Sequence, residues 1–405
     1  MGADRAPADS APAVRLAPDT DVAVVGAGIV GAAVALRVSA AFPRRRITVL
    51  DRGDATPGSG SATRRSLGVL APWASTAGQR LLLERGATWT GGGTVRELLR
   101  PHLRRVPVLV VARTGTLDSL ARSTIGTRME TASDELTAAA RAACGELLLR
   151  KGDGQATVRG GMVVLDTAAA ADALLAAVAA GNGRVRLGAR VARVEHLGHA
   201  QRLHLAGGDR ITTSRTVLAT GPWPGPELPA AAGGVSATRN LDRSPWRTKR
   251  MAALRIDRAL PPGAPMVCFP DDDLFLLPSA EGPGAAGAIG AARGIGSAER
   301  PGGAWASFRC EDWDVAPGGG RDAYGGRDAY GERTLEAGRT VLAGRLPELA
   351  LAAVPGPAAV DGYTPDRTPL TDRPAPNVVR AVAASGGGAR FSWGIADRVL
   401  ELLAL

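Results

Sequence analysis

The 405-residue chain is poor in lysine, histidine and cysteine, and each shortage closes off a class of function. Lys151 and Lys249 are the only lysines, so all but two of the 49 basic residues are arginines, and the formal charge of +10 is an arginine charge. Those arginines are dispersed, and the densest runs, Arg44–Arg46 and Arg104–Arg105, are short. A nucleic-acid binder would show a basic stripe interleaved with aromatics, so no nucleic-acid partner is expected. With 53 glycines and abundant alanine, the bias reads as the codon usage of a GC-rich genome. Three scattered cysteines, Cys144, Cys268 and Cys310, have no C-x-x-C spacing, which argues against a disulfide scaffold and a structural zinc site. Four histidines, three of them within His196–His204, offer no His-rich metal or hydrolase centre, and no metal is expected. No segment reaches the roughly 18 uncharged apolar residues that span a bilayer. Residues 1–20 are rich in Ala, Pro and Asp and have no apolar h-region, so they read as a disordered tail. A cytoplasmic protein without a membrane partner, monomeric or homodimeric, is the expectation.

The 45% hydrophobic and 22% charged shares are those of a globular protein, and the length suits two domains. The longest apolar run, Val22–Leu36, carries Gly26, Gly28 and Gly31. Asp21–Val25 reads as a buried strand, the G-A-G-I-V-G turn follows, Ala32–Ala41 as a helix, and Ile47–Leu50 as a second strand closed by Asp51. This is the strand–turn–helix–strand unit of a dinucleotide site. Gly26 permits the tight turn, Gly28 lets backbone approach a pyrophosphate, and Gly31 lets helix and strand pack closely. The helix N-terminus offers free N–H groups, and Asp51, 20 residues after Gly31, suits ribose hydroxyls.

The pattern fades after residue 75 and resumes at Gly161–Asp166, a helix near Ala168–Ala180, Val185–Leu187, Val191–Val194 and Thr216–Gly221. It returns in Asn377–Ala384, a Ser385–Gly388 turn and a helix over Ile395–Leu403. A nicotinamide domain is usually contiguous; a cofactor domain so divided points to FAD. The expected fold is α/β (α+β overall): a Rossmann-like FAD-binding domain over 21–94, 156–226 and 356–405, and an antiparallel-sheet substrate domain over 95–155 and 227–355. Arg250–Ile256, Leu274–Leu277 and Ala286–Ala291 supply strands of the second. The tandem GGRDAY, Gly319–Tyr324 and Gly325–Tyr330, reads as a lengthened surface loop, with a lid bearing Tyr324 or Tyr330 as the alternative.

These residues resemble the FAD-dependent amino acid and amine oxidases of the D-amino-acid oxidase superfamily, nearest to the monomeric sarcosine oxidase branch and more distantly to glycine oxidase. The resemblance covers roughly 20–80, 160–225 and 355–405. DVAVVGAGIVGAAVAL with LDRG is similar to the family's FAD entry motif, Asp51 standing for its usual Glu. GSGSATRRSLG is similar to the loop under the flavin, with Thr63 and Arg64 as its Thr-Arg pair, and Tyr363–Leu370 to the TPD-x-x-P return segment. SGGGARFSWG resembles the sarcosine oxidase S-G-H-G-F-K-F segment. It sets Arg390 at the substrate-carboxylate lysine, Phe391 at its phenylalanine and Gly387 at its histidine. The resemblance implies a cofactor-binding set of Gly26, Gly28, Ile29, Val30, Gly31, Asp51, Arg52, Ser61, Thr63, Arg64, Val191, Thr220, Gly221, Gly386, Gly387, Gly388 and Arg390. Asp361, or a residue next to it, stands where that branch attaches its flavin to cysteine, which implies non-covalent FAD. The branch's oxygen-activating lysine corresponds to Ala288 on Gly287–Gly290.

The activity implied is oxidation of the C–N bond of an amino acid or a cyclic or secondary imino acid to an imine, by hydride transfer to flavin N5. Oxygen is the acceptor, giving H2O2, and a role in specialised biosynthesis is suggested. A dehydrogenase with another acceptor, or a non-catalytic FAD-binding subunit, is the alternative. Flavin carries the hard chemistry, so few acid–base groups are needed. Three catalytic candidates stand out. Arg390 can hold a carboxylate by paired hydrogen bonds, against a structural pairing with Asp397. Arg64, or Arg65 beside it, can stabilise negative charge on reduced flavin, and a helix after Gly394 can add its positive end. Tyr363 can hydrogen-bond near flavin or substrate, or simply pack. Trp73, Trp223 and Trp393 fall in the same motifs and read first as packing residues, one of them being a candidate pocket wall.

Overall fold

The computed structural model describes residues 18–53, 61–90, 93–223, 225–228, 245–279, 303–315 and 332–403. The tail up to residue 17, Gly58–Gly60, Ala286–Ala291 with Ala288, and the GGRDAY repeat lie outside the described residues.

In chain order the elements are β1 (Thr20–Val25), α1 (Ile29–Ala41), β2 (Ile47–Leu50), α2 (Ala62–Arg65), β3 (Val69–Leu70), α3 (Ala77–Thr90) and α4 (Thr94–Leu99). Then come β4 (Leu103–Val106), β5 (Val108–Arg113), α5 (Thr114–Ser123), β6 (Met129–Thr131), α6 (Asp134–Cys144), β7 (Asp153–Val158), β8 (Met162–Leu165) and α7 (Thr167–Ala180). β9 (Gly183–Arg186), β10 (Val191–His196), β11 (Gln201–Leu205), β12 (Arg210–Leu218), β13 (Arg247–Ile256), β14 (Met266–Phe269), β15 (Leu274–Pro278) and β16 (Ala304–Ser307) follow. The chain closes with α8 (Glu332–Ala343), α9 (Pro347–Leu351), β17 (Ala353–Tyr363), β18 (Leu370–Ala375), β19 (Val378–Val382) and α10 (Gly388–Leu403).

The first sheet runs β10-β11-β12-β1-β2-β9, with β19 on β12 and β18 on β19. β1 is parallel to both β12 and β2 and lies at its centre. Its Val22 and Val24 pack into a core with α1, α7 and α10, while Ala23 and Val25 pack on the other face with Val194, Leu203 and Leu218. Burial on both faces is why DVAVV is apolar without alternation. α1 begins at Ile29, three residues before the expected start, because extended Gly28 is already its N-cap. Thr20 belongs to β1, so the expected tail stops short of it.

α10 begins at Gly388, not at Ile395. Its glycines disguise it in the sequence, but Gly394 is inside the helix because α3 crosses there. A Cβ on Gly394 would lie 2.0 Å from the Leu82 carbonyl oxygen. The helix end nearest the glycine turn is therefore Gly388.

The second sheet runs β17-β13-β16-β15-β14-β5-β7-β6, antiparallel except where β14 meets β5. Here β17 departs from the expected division: residues 356–363 pair along β13 and not with the first sheet. β7 likewise runs across 155/156 beside β5. One face of this sheet, with Ala252, Leu254, Leu274 and Leu276, packs against helical residues such as Leu342 and Leu349. Alternation turns Met251, Ala253, Phe275 and Ser307 to the other face, where they meet a cavity. A third, three-stranded sheet, β3-β8-β4, adjoins it. No helix among the described residues is long and apolar enough to cross a membrane.

Candidate active site

A cavity of about 900 Å3 runs from the glycine turn after β1 to the face of the second sheet. At its first end lie Gly26, Gly28, Ile29, Val30, Asp51, Arg52, Val191, Thr220, Gly221 and Trp223. Gly26 has φ +110, and a Cβ there would stand 2.2 Å from the Ala219 carbonyl oxygen; a Cβ on Gly31 would stand 1.9 Å from the Gly26 oxygen. Only glycines let the turn, the helix and β12 close on one another. Gly31 thus shapes the cradle from behind, without lining it. The Ile29 N–H at the start of α1 donates to Thr63 Oγ1 at 3.0 Å. Asp51 accepts from Ala27 N through Oδ2 and from Gly53 N through Oδ1, each at 2.7 Å, and its carboxylate faces the cavity. The Arg52 guanidinium lies 3.1 Å from the Trp223 ring centroid. An extended cradle of backbone N–H groups, one acid and a helix N-terminus fits a dinucleotide: pyrophosphate at the helix end, ribose at Asp51.

The other end is lined by Ser66–Val69, Arg65, Met251, Ala253, Phe275, Ser307, Ala359, Asp361, Ala381–Ala384, Gly386, Gly388 and Arg390. Ser61 and Thr63 line the stretch between. Here the backbone is held in unusual conformations: Ala383 has φ +54 and Ser385 φ +53, both left-handed, with Gly386 at +75. Such strain persists only where neighbours over-determine it. The neighbours are visible: Ser385 N donates to Gly362 O, Gly387 N to Ala384 O, and Gly386 N to Asp361 Oδ2 at 2.7 Å.

Arg390 projects from the first turn of α10. Its Nη1 donates to the Trp73 carbonyl at 3.2 Å, its guanidinium carbon lies 4.3 Å from the Phe391 ring centroid, and its Nε is buried with no hydrogen-bond partner. Burial pulls its pKa down to about 10, so it stays cationic at neutral pH. Asp397 pairs with Arg37 instead, which removes the structural pairing considered for Arg390. Gly387 does not line the cavity. A Cβ there would sit 2.4 Å from the Phe391 ring and 3.0 Å from Arg390 Nε, so a side chain is incompatible with this Arg390 pose.

Two candidates sit elsewhere than expected. Arg64 points away from the cavity and forms a two-pronged pair with Asp172 at 2.8 and 3.3 Å. On the short α2, Arg65 faces the opposite way, lines the cavity and donates to Ala358 O at 2.8 Å. Tyr363 lies behind the lining: its hydroxyl donates to Met251 Sδ at 2.7 Å, and burial pushes its pKa up, so it is a neutral phenol. Of the tryptophans named from the sequence, Trp223 lines the cavity and Trp73 supplies the acceptor for Arg390.

Met251, Phe275, Ser307 and Ala359 are not expected as site residues from the sequence, Met251 and Phe275 being expected only as members of strands. Their only signal is strand alternation, and it acquires meaning once the register of β13, β15, β16 and β17 shows which face meets the cavity.

By fold, the chain is similar to L-proline dehydrogenase from P. horikoshii, with TM-score 0.68 and 16% identity over 96% of this chain and 94% of that one. It is also similar to iminodiacetate oxidase from Chelativorans sp. BNC1, with TM-score 0.63 and 19% identity over 95% and 94%. Glycine oxidase from Geobacillus kaustophilus gives TM-score 0.63 and 18% identity over 95% and 94%. No curated protein matches the chain by sequence. The family model described as FAD dependent oxidoreductase matches residues 21–402, nearly the whole described chain, so the dinucleotide of this cradle is FAD and the chain belongs to the FAD dependent oxidoreductase family.

Proposed function

We propose that this protein oxidises the C–N bond of an amino or imino acid carrying one carboxylate, with Arg390 as the carboxylate-binding residue. The observation that carries this reading is the buried Arg390 guanidinium, which lines the same cavity as the dinucleotide cradle, pairs with no acid among the described residues and has an Nε without a hydrogen-bond partner, at the end also lined by Met251, Ala253 and Phe275. A cation held there without an acid is built for an anion from outside. Two neighbours' names, a proline dehydrogenase and a glycine oxidase, support the same substrate class, and a third, an iminodiacetate oxidase, supports an imino acid though one with two carboxylates.

FAD would lie along the cradle, its pyrophosphate at Gly28 and Ile29 and its ribose at Asp51; bound there, it supplies the hydride acceptor. Binding without a cysteine link is proposed, because the cysteines at 144, 268 and 310 are buried and none lines the cavity. The protein's part is orientation. Arg390 fixes the carboxylate, the Met251–Phe275 wall excludes water, and Ser307 offers the wall's hydroxyl. Arg65 and the Gly388 end of α10 line the same end of the cavity and would offset negative charge gained by a ring bound there.

Molecular oxygen is the proposed acceptor, giving H2O2. One observation favours a dehydrogenase as the second reading: neither lysine lines the cavity, Lys249 directing its ammonium to the rings of Trp313 and Tyr363, 4.9 and 5.5 Å from their centroids. Specialised biosynthesis is the proposed setting.

Arg390→Ala tests the role. Substrate KM should rise roughly 10- to 100-fold, the worth of hydrogen bonds to a charged group, with FAD content unchanged. Wild-type kinetics in that variant would contradict the assignment.

A further inference from the structure

Asp361 is the second acid of the cavity, and the proposed reaction does not use it. It lies at the far end from Asp51, near the end of β17, and faces the cavity beside Ala359. Its two oxygens accept main-chain bonds, from Gly362 N at 2.8 Å and Gly386 N at 2.7 Å. The charged and titratable groups around it come from four elements. Tyr363, on its own strand, is kept neutral by burial. Lys249, its register partner on β13, is pulled down by burial and turned to Trp313 and Tyr363. Arg65 on α2 gives a guanidinium hydrogen to Ala358 O, and Arg390 on α10 gives one to Trp73 O. No ion pair holds Asp361 in its charged form among the described residues.

We propose that Asp361 is a proton acceptor coupled to flavin reduction: it takes a proton from solvent when the ring becomes reduced and returns it when the ring is reoxidised. The balance is simple. Two electrons and one proton leave the substrate carbon as hydride, so reduced flavin holds one negative charge more than oxidised flavin. Protonation of the carboxylate offsets that charge inside the cavity. The electron acceptor later takes the two electrons while the ring gives up its proton, and the carboxylic acid loses its own proton again; with oxygen as acceptor, two electrons and two protons make H2O2. The physical cause is like-charge repulsion in a site of low dielectric, which favours the neutral carboxyl when a second anion forms. Burial has already pushed this carboxyl up to about 6 against the pull of its two N–H donors, so a modest further rise brings it across neutral pH.

The inference rests on bound FAD and not on the identity of the substrate. It is tested by measuring the flavin midpoint potential from pH 5.5 to 9 with dithionite and indicator dyes, in the wild type and in Asp361→Asn. One extra proton per two electrons is a tenfold change in the reduction equilibrium per pH unit, ~30 mV. The wild type should show this additional slope above about pH 6, and the variant should lack it and have the higher potential at pH 8. The reduced-flavin spectrum separately reports protonation of the ring itself. Should the variant lose FAD, proton uptake on reducing the wild-type holoenzyme at pH 7 in weak buffer decides. Clearly more than one proton per flavin, with the ring spectrally anionic, supports the proposal. Parallel slopes in the two proteins, or one proton per flavin, would overturn it.

Discussion

Arg390 and Arg64 show how much a single position can differ from its neighbour. Both are arginines in motifs next to the cofactor, yet Arg390 lines the cavity and pairs with no acid among the described residues, while Arg64 is partnered by a surface carboxylate. Exposed pairs of this kind contribute about 0–1 kcal/mol. Arg64→Ala should therefore leave turnover and FAD content near wild type, whereas Arg65→Ala should change the flavin potential; steady-state kinetics and a potential titration separate the two. Arg390→Lys is the finer test. A lysine keeps the charge but not the planar fork, so partial rescue over Arg390→Ala, read in KM, would show that geometry as well as charge is used. The Arg390 position was legible from its motif. The choice between Arg64 and Arg65 was not, because adjacent residues on one helical turn face different ways and only the fold says which way is inward.

At the scale of elements, the β1–α1–β2 unit was readable because every requirement falls within some thirty residues. Gly31→Ala tests that unit. Its Cβ would stand 1.9 Å from the Gly26 oxygen, so the turn must open, and the purified protein should retain little FAD in its visible spectrum. α10 is the opposite case. Its first half, GARFSWG, carries two glycines and follows the Ser385–Gly388 turn, so a helix is expected only from Ile395, but α3 packs across Gly394 and tertiary contact overrides propensity. Gly394→Ala would drive a methyl into Leu82 O and should destabilise by roughly 1–3 kcal/mol, a lowered Tm in a thermal melt. β17 was misplaced for a related reason. Its pairing with β13 joins residues a hundred positions apart, and no local pattern announces such a partner. The same non-local register hid Met251, Phe275 and Ser307 from the sequence.

At the scale of the whole molecule, a buried ion network ties the second sheet to the helices beside it. Arg345, 1% exposed, bonds Asp153 at 2.5 Å and Asp272 at 2.7 Å, joining the segment after α8 to β7 and the turn before β15. Removing the cation leaves the buried Asp153 carboxylate without its ion-pair partner, although Asp272 keeps Arg150, and Arg345→Ala should cost about 3 kcal/mol in denaturant unfolding. Burial pushes the Asp153 carboxyl up, but the Arg150 N–H and Arg345 outweigh it and hold it below its ordinary range. Its contribution is thus present at neutral pH and lost as the pH falls below about 4, so acid should unfold the wild type more steeply than Asp153→Asn. The fold brings the FAD cradle and Arg390 to one cavity from segments about 360 residues apart.

The most direct measurement is an anaerobic titration of the purified yellow protein with a panel of amino and imino acids, followed in the visible spectrum. Loss of the blue flavin band with a monocarboxylate amino or imino acid, and return of colour on admitting air, is the predicted result. A protein that binds FAD but is bleached by none of them, or is bleached equally by the same amines lacking a carboxylate, would contradict the substrate assignment.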